Sequence, residues 1–500
     1  MRPHWTFTAA ALLLFFSVFT EASANSESSQ QNPLSKQETV LSPEQIQADL
    51  KQLYQGLKSA HIDLYANIRK QDYDAAFSRL SNSIDKPLSV FEVTLLFQEF
   101  VALGKIAHAK IDLPTQDYDE YRSHDGKIFP IFIRVIDNKV FVTENYSSVT
   151  IPIGAQLLKI DGIAIDIYFA QLQKFLSADT AIMANGFLEF YLPMLIWFEH
   201  GEQNSYQISY TVDNEAVKTV NVPSMTRKAM TETTQDKPEQ LQLGMERVFK
   251  MLDNQIAYLR PGPFFNTEPN NDNTWDAKPF EKFIDDAFIQ FEKNNAKALV
   301  IDIRNNPGGT NSFSDYMMAK FADKPFKFAS KFIVKVSPES IAANAARLRV
   351  NPDDSDSFSA KIAKEYEKRK PGDTFEYSIE QVQPSPKKKF ERPVFILINR
   401  HSYSNAVFVA AIAQDYGFAT VIGEETADLA TTYGAMEHFN LKHSKLTVGY
   451  PKALIVRPNG DDTIRGVVPD IHIQIPVVEP VNDPVLKKAV LLIEKNQVAK

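Results

Sequence analysis

From about residue 241 the chain alternates strand-like and helix-like segments, and no other feature restricts its fold as much. Strands are expected at residues 256–259, 298–303, 332–336 and 394–398, with helices within residues 279–293 and at 312–321. Strands separated in this way by helices build a largely parallel layer, so residues 241–480 read as an α/β domain. The last of these strands stops at a short polar elbow, and a helix-period run follows at residues 406–413. Ser404 therefore sits at a strand-to-helix junction. A hydroxyl there faces a helix N-terminus, where unpaired amides stabilise a developing oxyanion. The elbow, NRHSYSNAV, lacks the GxSxG pattern of α/β-hydrolases, and by itself makes Ser404 only a candidate nucleophile.

Five hundred residues with 44% apolar content suffice for two or three domains with proper cores. There are 54 Lys and Arg against 62 Asp and Glu, a net charge of −8 with no large block of one sign, which argues against a nucleic-acid partner. The sequence has no cysteine, which removes thiolate catalysis, zinc–thiolate sites and disulfides. Its start reads as a secretory signal: Arg2, an apolar core over residues 7–18, and the small residues Ala22-Ser23-Ala24. Residues 1–24 are expected to be removed. Their apolar run falls short of the ~20 residues a spanning helix needs, so no stable membrane span is expected after cleavage.

Residues 25–42 are polar and read as a tether. Ser42-Pro43-Glu44-Gln45 is a helix start signal, and helical stripes continue toward residue 105 in an N-terminal segment, 43–125. In KIAHAKIDL helical spacing gives way to alternation, which puts His108 at a helix-to-strand boundary. Residues 126–223 form a β-rich domain. Its stretch IPIGAQLLKIDGIAI, with the turn Asp161-Gly162 before a helical run, resembles the middle of a PDZ-like domain, a module that binds extended peptides at a sheet edge. A β-rich spacer is the alternative. The aromatic run 187–198 contains Glu189 and Pro193 and is expected to be a core or groove-lining helix. Residues 224–240 read as a linker, 338–392 as a charged helical insertion forming a surface excursion or lid, and 481–500 as a C-terminal helix.

Two loops lie at strand ends, where ligand sites of open α/β sheets fall. One is DIRNNPGGT, whose Gly308-Gly309 pair presents amides without Cβ obstruction and lacks the GK[ST] ending of a phosphate loop. The other is the Ser404 elbow. VIDIRNNPGG, then ILINRHSYSNAVFVAAIAQ, ATVIGEET and GVVPDIHI together resemble the core of the tail-specific (C-terminal processing) and tricorn-type serine peptidases. The resemblance implies a crotonase/ClpP-like layered α/β catalytic domain beside a PDZ-like β-rich domain and an N-terminal helical segment. It implies Ser404 as nucleophile, and an oxyanion hole from the amide of Gly308 or Gly309 together with that of Asn405. Tail-specific members place a catalytic lysine after the acidic turn, but GEETADLATTYGAM is followed by none until Lys442. Tricorn-type members use a histidine ahead of the PDZ-like domain, and His108 resembles it, with Ala107 replacing the family's small hydroxyl residue. His108 is then the general base. His401, three residues before Ser404, is expected to be structural or substrate-facing. The acidic residue that orients the base falls in the family before the GVxPD motif; Thr463 stands at the closest register, and Asp462, beside Asp461, is the candidate. Asp302 and Arg304 read as a strand-end ion pair, and Glu424 as part of a turn.

The expected function is an exported serine peptidase, periplasmic or secreted at a bacterial envelope. It would cleave peptides or unfolded proteins through an acyl-enzyme at Ser404, without metal or organic cofactor. One alternative is a catalytically inactive protein that binds peptides or apolar ligands on the same scaffold. Another is an acyl-CoA enzyme of the crotonase type, which shares the superfold but neither the DIRNNPGG strand end nor the PDZ-like region. Substrate, cleavage position and oligomeric state stay open.

Overall fold

Two strands that bury every residue set the centre of the fold. A computed structural model describes residues 39–213, 215–232, 241, 243–269, 271, 273–350, 357–386, 390–477 and 483–498. The expected leader, the tether up to residue 38 and linker residues 233–240 lie outside the described residues. Ala298–Asp302 and Val394–Ile398 are buried throughout, as strands of a parallel sheet covered on both faces are. They lie in the middle of a six-stranded sheet ordered Val248–Met251, Ile256–Arg260, Ala298–Asp302, Val394–Ile398, Thr420–Gly423, Ile471–His472. All pairings are parallel except the first. Helices Lys278–Lys293, Asn311–Ala319 and Asn405–Tyr416 cover one face through Phe280, Phe313, Met317 and Val407. The C-terminal helix Pro484–Val498 closes the other through Ala489 and Ile493. Asp302 and Arg304 are the expected ion pair, 2.6 Å apart, and Arg304 also reaches Asp483 at the foot of that helix.

The strand expected at 332–336 leaves this layer. Lys331–Lys335 alternates buried and partly exposed positions, the pattern of a sheet covered on one face. It pairs antiparallel with Thr447–Val456 in a second sheet that also holds Thr374–Glu376 and Thr432–Asn440. The insertion expected as an excursion or lid is thereby built into this layer over its described residues. Thr374–Glu376 is an edge strand, and helix Pro338–Val350 packs on helix Pro43–Ala60, where Ser59 Oγ donates to Glu339 (2.8 Å). Buried Glu437 holds the same helix by accepting both Arg347 nitrogens (2.5 Å) and Lys452 Nζ (2.6 Å).

Helix Pro43–Ala60 starts where the sequence predicts, with Ser42 and Gln45 exchanging capping bonds (2.9 and 3.4 Å). Its Leu50, Leu53 and Leu57 share a core with Leu441, Val448 and Tyr450 of the second sheet. After helix Val90–Ala102, the two-residue strand Lys110–Ile111 pairs with Gly449 and Val448. The N-terminal segment thus adds a strand to the second sheet immediately after His108. The β-rich domain is an antiparallel sheet ordered Lys218–Pro223, Ser205–Thr211, Gln156–Ile160, Lys139–Asn145, Ile131–Ile136. Met225–Thr226 pairs back onto Lys127–Ile128, so this domain closes inside the expected linker. The aromatic run belongs to helix Ala181–His200, which is long and apolar enough to cross a membrane but buries Leu188, Leu192, Leu195 and Ile196 in the domain core.

Asp49, fully buried on the first long helix, accepts from His443 N (3.0 Å), Ser444 N (2.7 Å) and Ser444 Oγ (2.7 Å) in the turn between Thr432–Asn440 and Thr447–Val456. Asp49→Ala strands these donors, and urea denaturation is expected to show a loss of about 2–4 kcal/mol.

Candidate active site

Ser404 has φ 53° and ψ −121°, a backbone conformation a residue with a side chain holds only under constraint. Three contacts supply the constraint. Ser402 Oγ donates to Ile303 O (2.8 Å), Tyr403 N to Asn306 O (2.9 Å) and Ser404 N to Asp428 Oδ2 (2.5 Å). Beside them, Asn305 N donates to Asn399 Oδ1 (3.0 Å) and Asn399 Nδ2 to Asn305 Oδ1 (2.7 Å). The DIRNNPGG loop and the elbow, which end neighbouring parallel strands, are in this way stitched side by side.

The two glycines take backbone conformations in the region that favours glycine, with φ 87° at Gly308 and 138° at Gly309. A Cβ on Gly308 would stand 2.6 Å from Tyr403 O and 2.8 Å from both Asn405 N and Ser404 Cβ. One on Gly309 would stand 2.2 Å from Phe264 O. The loop therefore lies directly on the elbow, and only glycine permits it. The Gly308 N–H donates to Asn306 Oδ1 (2.9 Å), whereas the Gly309 and Asn405 amides make no hydrogen bond among the described residues.

His108 is 5% exposed, and its ring stacks on that of Tyr403, the residue before Ser404, with centroids 5.6 Å apart. Among the described residues no hydrogen bond joins His108 to Ser404, and His108 Nδ1 is buried without a partner. Burial lowers the His108 pKa and Lys110 adds to this, outweighing the upward pull of Asp179 and the Tyr433 backbone. The imidazole is therefore neutral near pH 7.

Two aspartates that carry no motif complete the surroundings. Asp179 Oδ2 accepts from Ala107 N (3.1 Å), and its Oδ1 is buried without a partner. Asp428 accepts from Ser404 N through one oxygen and from Leu429 N (2.8 Å) through the other. Burial and the Asp428 charge push Asp179 up to about 6, and burial pushes Asp428 up to about 6 despite its two amide donors.

Asp462, the expected acidic partner of the base, is not brought to His108. It is exposed on the loop after Thr447–Val456, beside an Asp461 that turns back onto Thr463 N (3.0 Å) and Oγ1 (2.6 Å). Residues 460–465 are exposed there, and the loop is buried again at Gly466 and Val467, where Val467 N–H donates to Thr426 Oγ1 (2.9 Å). The carboxylate that acts on His108 is instead Asp179 of the β-rich domain. His401 is buried against the β-rich domain: its Nε2 lies 2.8 Å from Glu189 Oε2, and Glu189 also accepts from Val135 N (2.7 Å) and Arg400 Nη1 (3.1 Å). Arg400 is held in turn by Glu424 (3.0 Å), so this network fastens the β-rich domain to the elbow. Among the described residues no group of three or more acidic or histidine side chains is arranged to hold a metal.

A carboxyl whose folded pKa lies above its unfolded value stabilises the fold most fully below the unfolded value, and loses that contribution as pH rises through the folded one. For Asp179 the window runs from about 4 to about 6. Asp179→Asn is therefore expected to leave unfolding near pH 4 unchanged. At pH 8 it is expected to raise the unfolding free energy by about 3 kcal/mol, read by urea denaturation at the two pH values.

Comparison with known proteins agrees with this geometry. The family model for Peptidase family S41 matches residues 256–473, from the second strand of the central sheet to the end of the last. A protein of Chlamydia muridarum (strain MoPn / Nigg), described as uncharacterized, is 24% identical over 265 residues, covering 46% of this chain and 43% of that protein. A Chlamydia trachomatis protein is 23% identical over 226 residues, 40% of this chain and 37% of its own. The chain thus spans less than half the length of the curated relatives it matches. The structure of mature CPAF complexed with lactacystin superposes with a TM-score of 0.63 at 14% identity, over 91% of this chain and 97% of that one, which shows a shared fold. Residues 256–473, which carry the serine-bearing elbow and the Gly308-Gly309 loop, are thus similar to Peptidase family S41.

Proposed function

We propose that the protein is a serine peptidase that acylates Ser404, with His108 as general base. The observation that carries this reading is the contact of Gly308 with the strained elbow, which leaves two unpaired amides, Gly309 and Asn405, beside the serine. In the proposed reaction Ser404 Oγ bonds to the carbonyl carbon of the scissile peptide while its proton passes to His108. The two amides hold the resulting oxyanion. Collapse breaks the C–N bond, His108 returns the proton to the departing amine, and water repeats the sequence to free the acid. Gly308, whose own amide is engaged by Asn306, serves as the clearance for this hole and Gly309 as its donor. His108 has no hydrogen bond to Ser404 in the free protein, so substrate must bring the imidazole from Tyr403 onto the hydroxyl, as occurs where catalytic hydrogen bonds tighten only in the complex.

Peptides or unfolded proteins are the proposed substrates, held extended along the β-rich domain in the PDZ-like manner. Its sheet offers Lys218–Pro223 and Ile131–Ile136 as edge strands. Export is part of the reading and rests on the leader-like residues 1–24; the intact mass of protein recovered outside the cytoplasm is expected to begin near Asn25, and a mass that includes Met1 refutes it.

The missing hydrogen bond between His108 and Ser404 favours a second reading, a non-catalytic peptide-binding protein on this scaffold. A fluorophosphonate separates the two. The peptidase is expected to be labelled at Ser404 and to cleave unfolded protein, with Ser404→Ala and His108→Ala each lowering the rate by roughly 100-fold or more. Wild-type protein that neither labels nor cleaves between pH 6 and 9 is the binding protein.

A further inference from the structure

Next to Tyr403 of the elbow, two buried polar atoms of complementary kind have no partner. His108 Nδ1 and Asp179 Oδ1 are both buried and both unbonded, and each group acts electrostatically on the other. Burying either atom without a hydrogen bond is costly, and one bond between them relieves both. Asp179 is fixed for this purpose from below. Its other oxygen is held by the amide of Ala107, the residue before His108, so the carboxylate rides on the same short segment as the imidazole.

We propose that Asp179 is the positioning residue for His108, accepting the Nδ1 proton so that Nε2 is presented to Ser404. It thereby takes the part for which Thr463 has no carboxylate and from which Asp462 is too far into solvent. The inference rests on the reading of Ser404 and His108 as nucleophile and base. Asp428 does not compete for the role, because both its oxygens are engaged by amides and it does not act on the imidazole. The other groups that bear on the pair are known. Lys110 comes from the strand after His108, the Tyr433 backbone from the second sheet, and the phenols of Tyr403 and Tyr191 stay neutral because burial raises them. Across the catalytic cycle Asp179 stays ionised. It fixes the tautomer while His108 is neutral and stabilises the imidazolium once the Ser404 proton has arrived.

An aspartate from the β-rich domain also makes that domain part of the catalytic unit. Asp179 sits in the segment between the helices Ile165–Gln173 and Ala181–His200, and the second of these helices carries Glu189, the group that grips His401 and Arg400. Movement of the domain and alignment of the base are coupled through one short stretch of chain.

The test compares wild type with Asp179→Asn, a variant expected to be at least as stable at neutral pH, so that lost activity is not lost fold. Cleavage of an unfolded protein is followed from pH 5 to 9, together with fluorophosphonate labelling and an NMR titration of 13C-labelled histidine rings, with His108→Ala identifying the His108 signal. Asp179→Asn is expected to lower kcat by roughly 100-fold or more with KM changed less than about threefold. Loss of the negative charge is expected to move the acid limb of kcat/KM, and the His108 titration, to lower pH. Wild-type kcat with an unmoved acid limb in a labelled, folded Asp179→Asn overturns the inference and leaves the peptidase reading standing. If the wild type itself does not label, the peptidase reading falls, and the inferred role of Asp179 falls with it. The histidine titration then still decides whether Asp179 holds His108.

Discussion

The contact that the rest of the molecule depends on is that of a glycine backbone with a strained serine turn. Gly308 lies so close to Tyr403, Ser404 and Asn405 that no other residue fits, and every neighbouring interaction serves to hold the two loops at that separation. Side chains of Asn305 and Asn399 and the backbone carbonyl of Asn306 bridge them, and the parallel pairing of Ala298–Asp302 with Val394–Ile398 sets their spacing. Strain at Ser404 persists because it is overdetermined from three sides. An apolar sheet interior supplies the rigidity, and its polar ends supply the chemistry.

Much of this was legible in the sequence. Fully apolar strands followed by polar loops and helix-period runs identified the parallel layer, and a serine at one strand end with a glycine pair at another marked the two loops that the structure sets side by side. The start of the first long helix followed from its capping residues. What sequence reading misplaced were strands whose partners are remote: Lys331–Lys335 has the length of a layer strand, and only its alternating burial assigns it to the second sheet.

The polar network was far less legible. Asp179, Asp428 and Glu189 look like ordinary surface carboxylates in one dimension, because their partners lie 72, 24 and 212 residues away. Their importance comes from burial, which composition does not encode. Asp462 illustrates the converse: a register counted from a motif placed it well along the chain, but its loop turns to solvent. His401, three residues before the serine in sequence, is drawn away by a carboxylate from another domain.

The strand Lys110–Ile111 is only two residues long, yet it anchors the histidine onto a sheet whose other strands, from Lys331–Lys335 to Thr447–Val456, are made much later. The proposed nucleophile and its base are therefore strangers until the whole polypeptide is present. A chain still being made would carry its cutting parts disassembled, harmless to itself and to the compartment that makes it. Competence would be acquired only when the segment around Lys110–Ile111 and the strand Thr447–Val456 close on one another.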